Sequence, residues 1–304
     1  MSNNTSSRRR VWLGLALLAA TLSAGLVSYL HWDDRAYFWF KQRGLSPEQR
    51  AAAVWLPGYR AVIQGRPLLG LEEDETSGLA YSPLSGTLFT VTGKWPQLVE
   101  ISTDGEVLRV IELVGFADPE AVEVLGDGRI AIVDERARTL SAFHLPPRVT
   151  HIEAARLEQV DLGYADAGNK GFEGLAWDTR NNRLLLAKER SPMGLYSLPF
   201  PGEDGATGSL QPLPSGHLFL RDLSSLTVDG RTGHTLVLSD ESRLLLELDE
   251  FGQPVSFISL LGGFNGLDAS IRQPEGVAMD ESGDIYMVGE PNLFYRFSRD
   301  PGAR

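Results

Sequence analysis

Acidic residues recur in this chain at two positions that share one register. The first position holds Glu120 in Pro119-Glu120-Ala121-Val122-Glu123-Val124, Glu173 in Phe172-Glu173-Gly174-Leu175-Ala176-Trp177-Asp178, and Glu275 in Gln273-Pro274-Glu275-Gly276-Val277-Ala278-Met279-Asp280. The second follows the next apolar run and holds Asp134 and Glu135, then Glu189, then Glu290. A fourth copy has Ser224 at the first position and Asp240 and Glu241 at the second. A copy at Ser77, with Thr92 and Gly93, is acid-free at both. Crowded carboxylates repel and raise one another's pKa unless something neutralises them. A hard divalent cation does so, and Ca²⁺ takes about six to eight oxygen ligands. Zn²⁺ is disfavoured, because His31, His144, His151, His217 and His234 all lie outside these positions. Backbone N–H groups of a neighbouring strand, or the nearby Lys94, Arg136, Lys188 and Arg190, offer a purely structural neutralisation instead.

The elements that position these acids follow from the spacing. The aligned residues are 77, 120, 173, 224 and 275, at intervals of 43, 53, 51 and 51. A period of that size with strands in each unit marks a blade array, and five copies predict an all-β, five-bladed β-propeller. Each copy runs from a short apolar strand through a turn such as Gly126-Asp127-Gly128, Asn181-Asn182 or Ser282-Gly283 into a second strand. Gly, Asn and Asp accept the positive φ that such hairpins need. The first strand of a blade lines the central channel and the second runs antiparallel to it. The start of one and the end of the other therefore share a face, which gathers the acids into a ring. Fourth strands fit 107–113, 157–162 and 255–260, and that of the third blade lies somewhere in 209–223. The last copy stops after a third strand at 293–297, so 60–65 is expected to supply its fourth and close the ring, removing an exposed edge. Loops 115–118, 164–171 and 262–272, with Trp95, are expected to wall the channel mouth.

Composition narrows the function. The net charge of −12 argues against nucleic acid as a partner. With no cysteine, disulfides, thiolate metal sites and a cysteine nucleophile are excluded. There is no Gly-x-Ser-x-Gly elbow, P-loop or dinucleotide fingerprint, and no Ser/His/Asp set falls on the channel face.

Residues 1–10 read as a cytoplasmic tail ending in Arg8-Arg9-Arg10. Residues 11–32 read as a transmembrane signal anchor, since the apolar run 11–30, at about 1.5 Å per residue, matches a hydrocarbon core of about 30 Å. Cleavage at Ser23-Ala24-Gly25 is the rival, but Leu26-Val27-Ser28-Tyr29-Leu30 continues the apolar run past it. The arginines stay in the cytoplasm, so the rest of the chain is expected to cross the membrane. Tyr29 and Trp32 sit where interfacial aromatics belong. Residues 33–59 read as a linker with a short helix beginning at Ser46-Pro47, and 60–304 as the propeller. Tyr37, Phe38, Trp39 and Phe40 fit either a membrane surface or the domain.

With the phrases Glu75-Thr76-Ser77-Gly78-Leu79-Ala80, Asp118-Pro119-Glu120, Gly171-Phe172-Glu173-Gly174 and Gln273-Pro274-Glu275-Gly276, the chain resembles the SdiA-regulated (YjiK-like) family over about residues 60–300. The resemblance implies a five-bladed propeller distantly related to NHL-repeat propellers, an anchor in a bacterial inner membrane with the propeller on its periplasmic side, and a bound calcium ion. Its ligands would come from Glu120, Glu173 and Glu275 and their second-strand partners. It supplies no reaction. Two functions follow: a calcium-binding module for a small ligand or protein at the channel mouth, or a calcium-dependent hydrolase of phosphoesters or lactones in which Glu or Asp is the base.

Overall fold

The computed structural model describes residues 4–29, 32–163, 171–190, 192–200, 209–214 and 218–300. Five sheets, antiparallel apart from one added edge strand, stand around one axis as a five-bladed propeller. Their innermost strands are Thr76–Ser82, Pro119–Val124, Phe172–Asp178, Ser225–Val228 and Pro274–Met279. Each packs against the next, and the last returns to the first. The second strands, such as Arg183–Lys188 and Thr235–Ser239, are buried almost end to end. Both faces of a blade are covered by its neighbours, so these strands read as continuous apolar runs such as Leu184-Leu185-Leu186-Ala187. The turns after the inner strands use the expected chemistry, with positive φ at Gly128, Asn182 and Gly283.

The fourth strand of the third blade is Gln211–Pro212, paired with Tyr196 and Ser197. A strand not expected from the sequence, His151–Glu153, runs parallel to Val107–Val114 and extends the first blade to five strands. The last blade is completed from the other end of the chain. Tyr59–Pro67 lies antiparallel to Leu293–Arg299, with Ala61 opposite Phe297 and Pro67 opposite Leu293. Loop 262–272 spends its middle on bracing this closure instead of walling the mouth. The Ala61 N–H donates to the Asn265 carbonyl (2.8 Å), and the Asp268 N–H donates to Gln64 Oε1 (2.8 Å).

Just before the closing strand, Glu247 clips the chain to the fourth blade. Its buried carboxylate accepts the N–H groups of Val54 (2.7 Å) and Trp55 (3.0 Å) and the hydroxyl of Ser256 (2.5 Å), and pairs with His234 Nδ1 at 2.7 Å. A carboxylate so buried is tolerable because every oxygen is paired.

At the N-terminus, helix Asn4–Tyr29 contains a stretch, 8–28, long and apolar enough to cross a membrane, and none of it is buried within the protein. The segment read as a linker holds a further helix, Trp32–Arg43, which packs on the fourth blade. The four aromatics divide between the two environments. Phe38 is buried beside Phe257 and Tyr37 touches Phe219, whereas Trp39 and Phe40 are exposed. Helix Pro47–Ala51 starts as the sequence indicates, with Ser46 and Gln49 forming a reciprocal capping box.

Candidate metal centre

The motif glutamates are extra residues in their strands. Pro119 pairs with Asp134 and Ala121 with Val133, which leaves Glu120 unmatched. The same shift leaves out Glu173, between Phe172 and Gly174, and Glu275, between Pro274 and Gly276. Such a bulge re-aims one side chain without disturbing the rest of the ladder. The glycine that follows has its own reason. A Cβ on Gly276 would lie 2.7 Å from the Gly78 carbonyl carbon, so the Glu-Gly phrase lets neighbouring inner strands approach across the axis. In the fourth blade Ser225 pairs with Leu238, and the Ser224 hydroxyl instead donates to the Pro274 carbonyl at 2.8 Å.

Three carboxylates meet closely. Asp118, Glu120 and Glu135 each place an oxygen within 4.8 Å of the other two. The Glu135 N–H donates to the Asp118 carbonyl (2.9 Å), and the Gly171 N–H donates to Glu135 Oε1 (2.5 Å), so two loops fix the cluster. Across from it, Gly93 leaves room, since a Cβ there would lie 3.5 Å from Asp118 Oδ1 and 3.7 Å from Glu120 Oε1. The first blade, acid-free at both aligned positions, thus supplies space on the side where the second blade supplies charge.

The other acids face the same channel mouth. Burial, then the charges of Asp118, Glu135 and Glu290, push Glu120 up to about 8 against an opposing Ser77 hydrogen bond. Glu173 is held far above the usual carboxylate range by burial and by Glu189, Glu275, Glu120 and Glu135. Burial and the charges of Asp240, Glu290, Glu120 and Asp222 raise Glu275 likewise. Burial and Asp222 raise Asp240 to about 6. These mutual effects tie the second, third, fourth and fifth blades into one electrostatic unit.

The cations sit at its margin. Arg136 donates to Asp118 Oδ2 at 2.7 Å. The Arg190 guanidinium lies 2.8 Å from Glu189, 2.6 Å from Glu241 and 3.9 Å from Asp222. Lys94 and Lys188 donate to the carbonyls of Glu73 and Arg190. Asp134 turns away from the ring, its oxygens accepting the N–H groups of Ala117 (2.6 Å) and Ala137 (2.9 Å).

Asp118, Asp222 and Glu75 were not among the acids singled out from the sequence as ligands, although 115–118 was expected at the mouth; burial and then the charge of Glu75 raise Glu290. All three lie two residues before the aligned position of their copies, so a third acidic register was present in the sequence. Of the loops expected at the mouth, 164–170 lies outside the described residues. Trp95 is 60% exposed.

Residues 51–298 match the SdiA-regulated family. Among solved structures, the chain is similar to a calcium-binding protein, regucalcin, from Agrobacterium tumefaciens, with a TM-score of 0.50 at 11% identity over 79% of this chain and 93% of that one. It is similar to a luciferin-regenerating enzyme, with a TM-score of 0.49 at 11% identity over 80% and 96%. It also resembles a gluconolactonase from Xanthomonas campestris, with a TM-score of 0.43 at 16% identity over 78% and 96%. At such identities the likeness concerns the fold alone. The family match spans the whole closed ring and the Glu-Gly phrases that build its channel mouth, and the chain belongs to the SdiA-regulated family.

Proposed function

We propose that this is a membrane-anchored, periplasmic propeller that binds calcium at its acidic channel mouth and presents that face to a small ligand or a protein. The observation that carries this reading is the convergence of Asp118, Glu120 and Glu135 within 4.8 Å. The donor set is all oxygen, which suits a hard cation. Asp118, Glu120 and Glu135 would hold the ion, with Glu173, Glu189, Glu275, Glu290, Asp240 and Glu241 supplying the surrounding negative field. The regucalcin that shares the fold is described as calcium-binding, which agrees with this assignment. Binding to the folded state alone stabilises by about 2.7 kcal/mol at a hundredfold excess over Kd. The melting temperature of the full chain in detergent should therefore rise with Ca²⁺ and fall with chelator, and Mg²⁺ should act more weakly. An unchanged melting curve and a flat calorimetric titration would leave the ring purely structural.

The anchor reading rests on the exposed apolar stretch 8–28 and the three arginines at its start. A reporter fused after Arg304 should be active only in its periplasmic form. Activity confined to a cytoplasmic reporter reverses the topology.

One observation favours a hydrolase as the second reading. Glu173 stands among Glu120, Glu135, Glu189 and Glu275, and beside a cation that neutralises this cluster it is an ionised carboxylate able to act as general base. A cation bound there would polarise a phosphoryl or lactone oxygen. Turnover in a screen of esters, lactones and phosphoesters, lost on Glu173→Gln in protein that still folds, separates this reading from a binding module.

A further inference from the structure

Helix Trp32–Arg43 has two faces. Asp34, Arg35 and Phe38 are buried against the fourth blade, while Trp32, Ala36, Trp39, Phe40 and Arg43 form an outward stripe at helical spacing. Trp32 is 49% exposed and Phe40 69%. Beside this stripe, between the helix and the seam of the fourth and fifth blades, lies a cleft of ≈ 480 Å³. Its walls include Trp32, Trp39, Phe257 and Phe264, and Arg60 stands at its rim. Arg35, also at the cleft, is held by Ser259 Oγ (3.1 Å) and the carbonyls of Ser242 (2.8 Å) and Arg243 (3.2 Å). Arg60, which is exposed, binds the carbonyls of Pro57 and Tyr59 through Nη1, and no partner for its Nη2 is found among the described residues.

The height of the cleft relative to the apolar stretch is set by the protein. Arg221 Nη2 donates to the Ser28 carbonyl (3.0 Å) and to Asp33 Oδ1 (3.0 Å), tying the end of that stretch to the propeller. Trp32 follows four residues after Ser28. If 8–28 spans the bilayer, Trp32 falls in the headgroup layer, where tryptophan belongs, and Trp39 and Arg43 continue the outward stripe that starts there. Arg43 also stacks over the Trp39 ring, 4.0 Å from its centroid, which keeps the cation with the aromatic surface.

We propose that the cleft takes an acyl chain of a phospholipid from the surrounding membrane, with its phosphate against Arg60. The proposal rests on the reading of 8–28 as a membrane anchor. An aromatic-walled recess with one cation at its mouth matches the two parts of such a molecule, and its volume falls within the range of about 300–1,000 Å³ usual for ligand sites.

The test uses the full chain, with Trp12→Phe to silence the tryptophan inside the apolar stretch, reconstituted in vesicles of phosphatidylglycerol and phosphatidylethanolamine carrying brominated acyl chains. Bromine should quench tryptophan emission, and that component should vanish when Trp32 and Trp39 are both replaced by Phe. Phe264→Glu, at a residue already 43% exposed, should reduce the quenching while the protein stays carbonate-resistant in membranes. Native mass spectrometry from detergent should show one retained phospholipid, lost in Phe264→Glu and weakened in Arg60→Glu. A carbonate-resistant protein with no Trp32- and Trp39-dependent quenching overturns the cleft but leaves the anchor standing. Quenching unaffected by Phe264→Glu also overturns it, because the helix then merely touches the surface. Release of the chain by carbonate overturns the anchor and the cleft together.

Discussion

Stripped of divalent cations, the protein should lose thermal stability as pH rises from about 4.5 to about 8, the interval over which Glu120 is ionised unfolded but protonated folded. The sign follows from proton counting. An acid whose folded pKa exceeds its unfolded value binds more protons in the folded state, so stability falls with pH across that interval and stays low above it. Glu173 and Glu275 shift the same way, and Asp240 does so between 3.8 and about 6. The slope is at most about 1.4 kcal/mol per pH unit for each such group. On the acid side the opposite holds. Asp178, Asp229 and Asp280 have depressed pKa values, so their stabilisation is present above 3.8 and is lost as pH falls through the folded values. Cation-free stability should therefore peak near the ordinary carboxylate range. Glu173→Gln with Glu275→Gln should flatten the neutral-side slope, raise the cation-free melting temperature at pH 8 and remove much of the calcium response. Melting curves at constant ionic strength decide the matter. Stability that climbs between pH 5 and 8 in chelator would mean that the acids are already neutralised by protein groups.

The second large effect concerns closure of the ring. Deleting residues 1–68 removes Tyr59–Pro67, opens an edge on Leu293–Arg299 and uncovers the core around Phe297 and Ile285. The expected product aggregates, because an unpaired apolar strand is a template for other chains. Deleting 1–45 keeps the closing strand and the Glu247 clip on Val54 and Trp55, but removes Phe38, which packs with Leu218, Leu220 and Phe257. Loss of that buried side chain costs roughly 3–5 kcal/mol. The shorter deletion should thus be monomeric on gel filtration with a lowered melting temperature. Equal solubility of the two proteins would show that the ring closes without its N-terminal strand.

The fold was legible because each blade repeats one phrase, and the phrase has a cause in every clause. The glutamate sits on a bulge, the glycine permits the close approach of inner strands, and the apolar residues after it fill the space between blades. Where the cause was not repeated, sequence reasoning ran short. Gln211–Pro212 is too brief for a periodic signal. Helix Trp32–Arg43 has its apolar residues divided between protein and exterior, so its pattern does not announce a partner. Asp134 was grouped with Glu135 because successive residues look equivalent in a string. Asp134 ends its strand and is used up by the N–H groups of Ala117 and Ala137, whereas Glu135 begins the turn and joins Asp118 and Glu120. Asp118 and Asp222 lie on the loops that enter the inner strands, where spacing varies most.

The pairing of Tyr59–Pro67 with Leu293–Arg299 also bears on how the protein is made. During synthesis the closing strand emerges early and waits for a partner more than two hundred residues away in the chain, so the last blade joins two ends of translation. A chain released before residue 293 leaves Ile285–Gly289 paired only with Pro274–Met279 and Tyr59–Pro67 without a partner strand. Such a product carries two open edges and is marked as unfinished to any protease or holdase that reads unpaired strands. Limited proteolysis of chains arrested before and after residue 299 should show protection arriving in one step. On that outcome the ring reports completion of its own synthesis, the domain becoming resistant only when its last strand has been delivered.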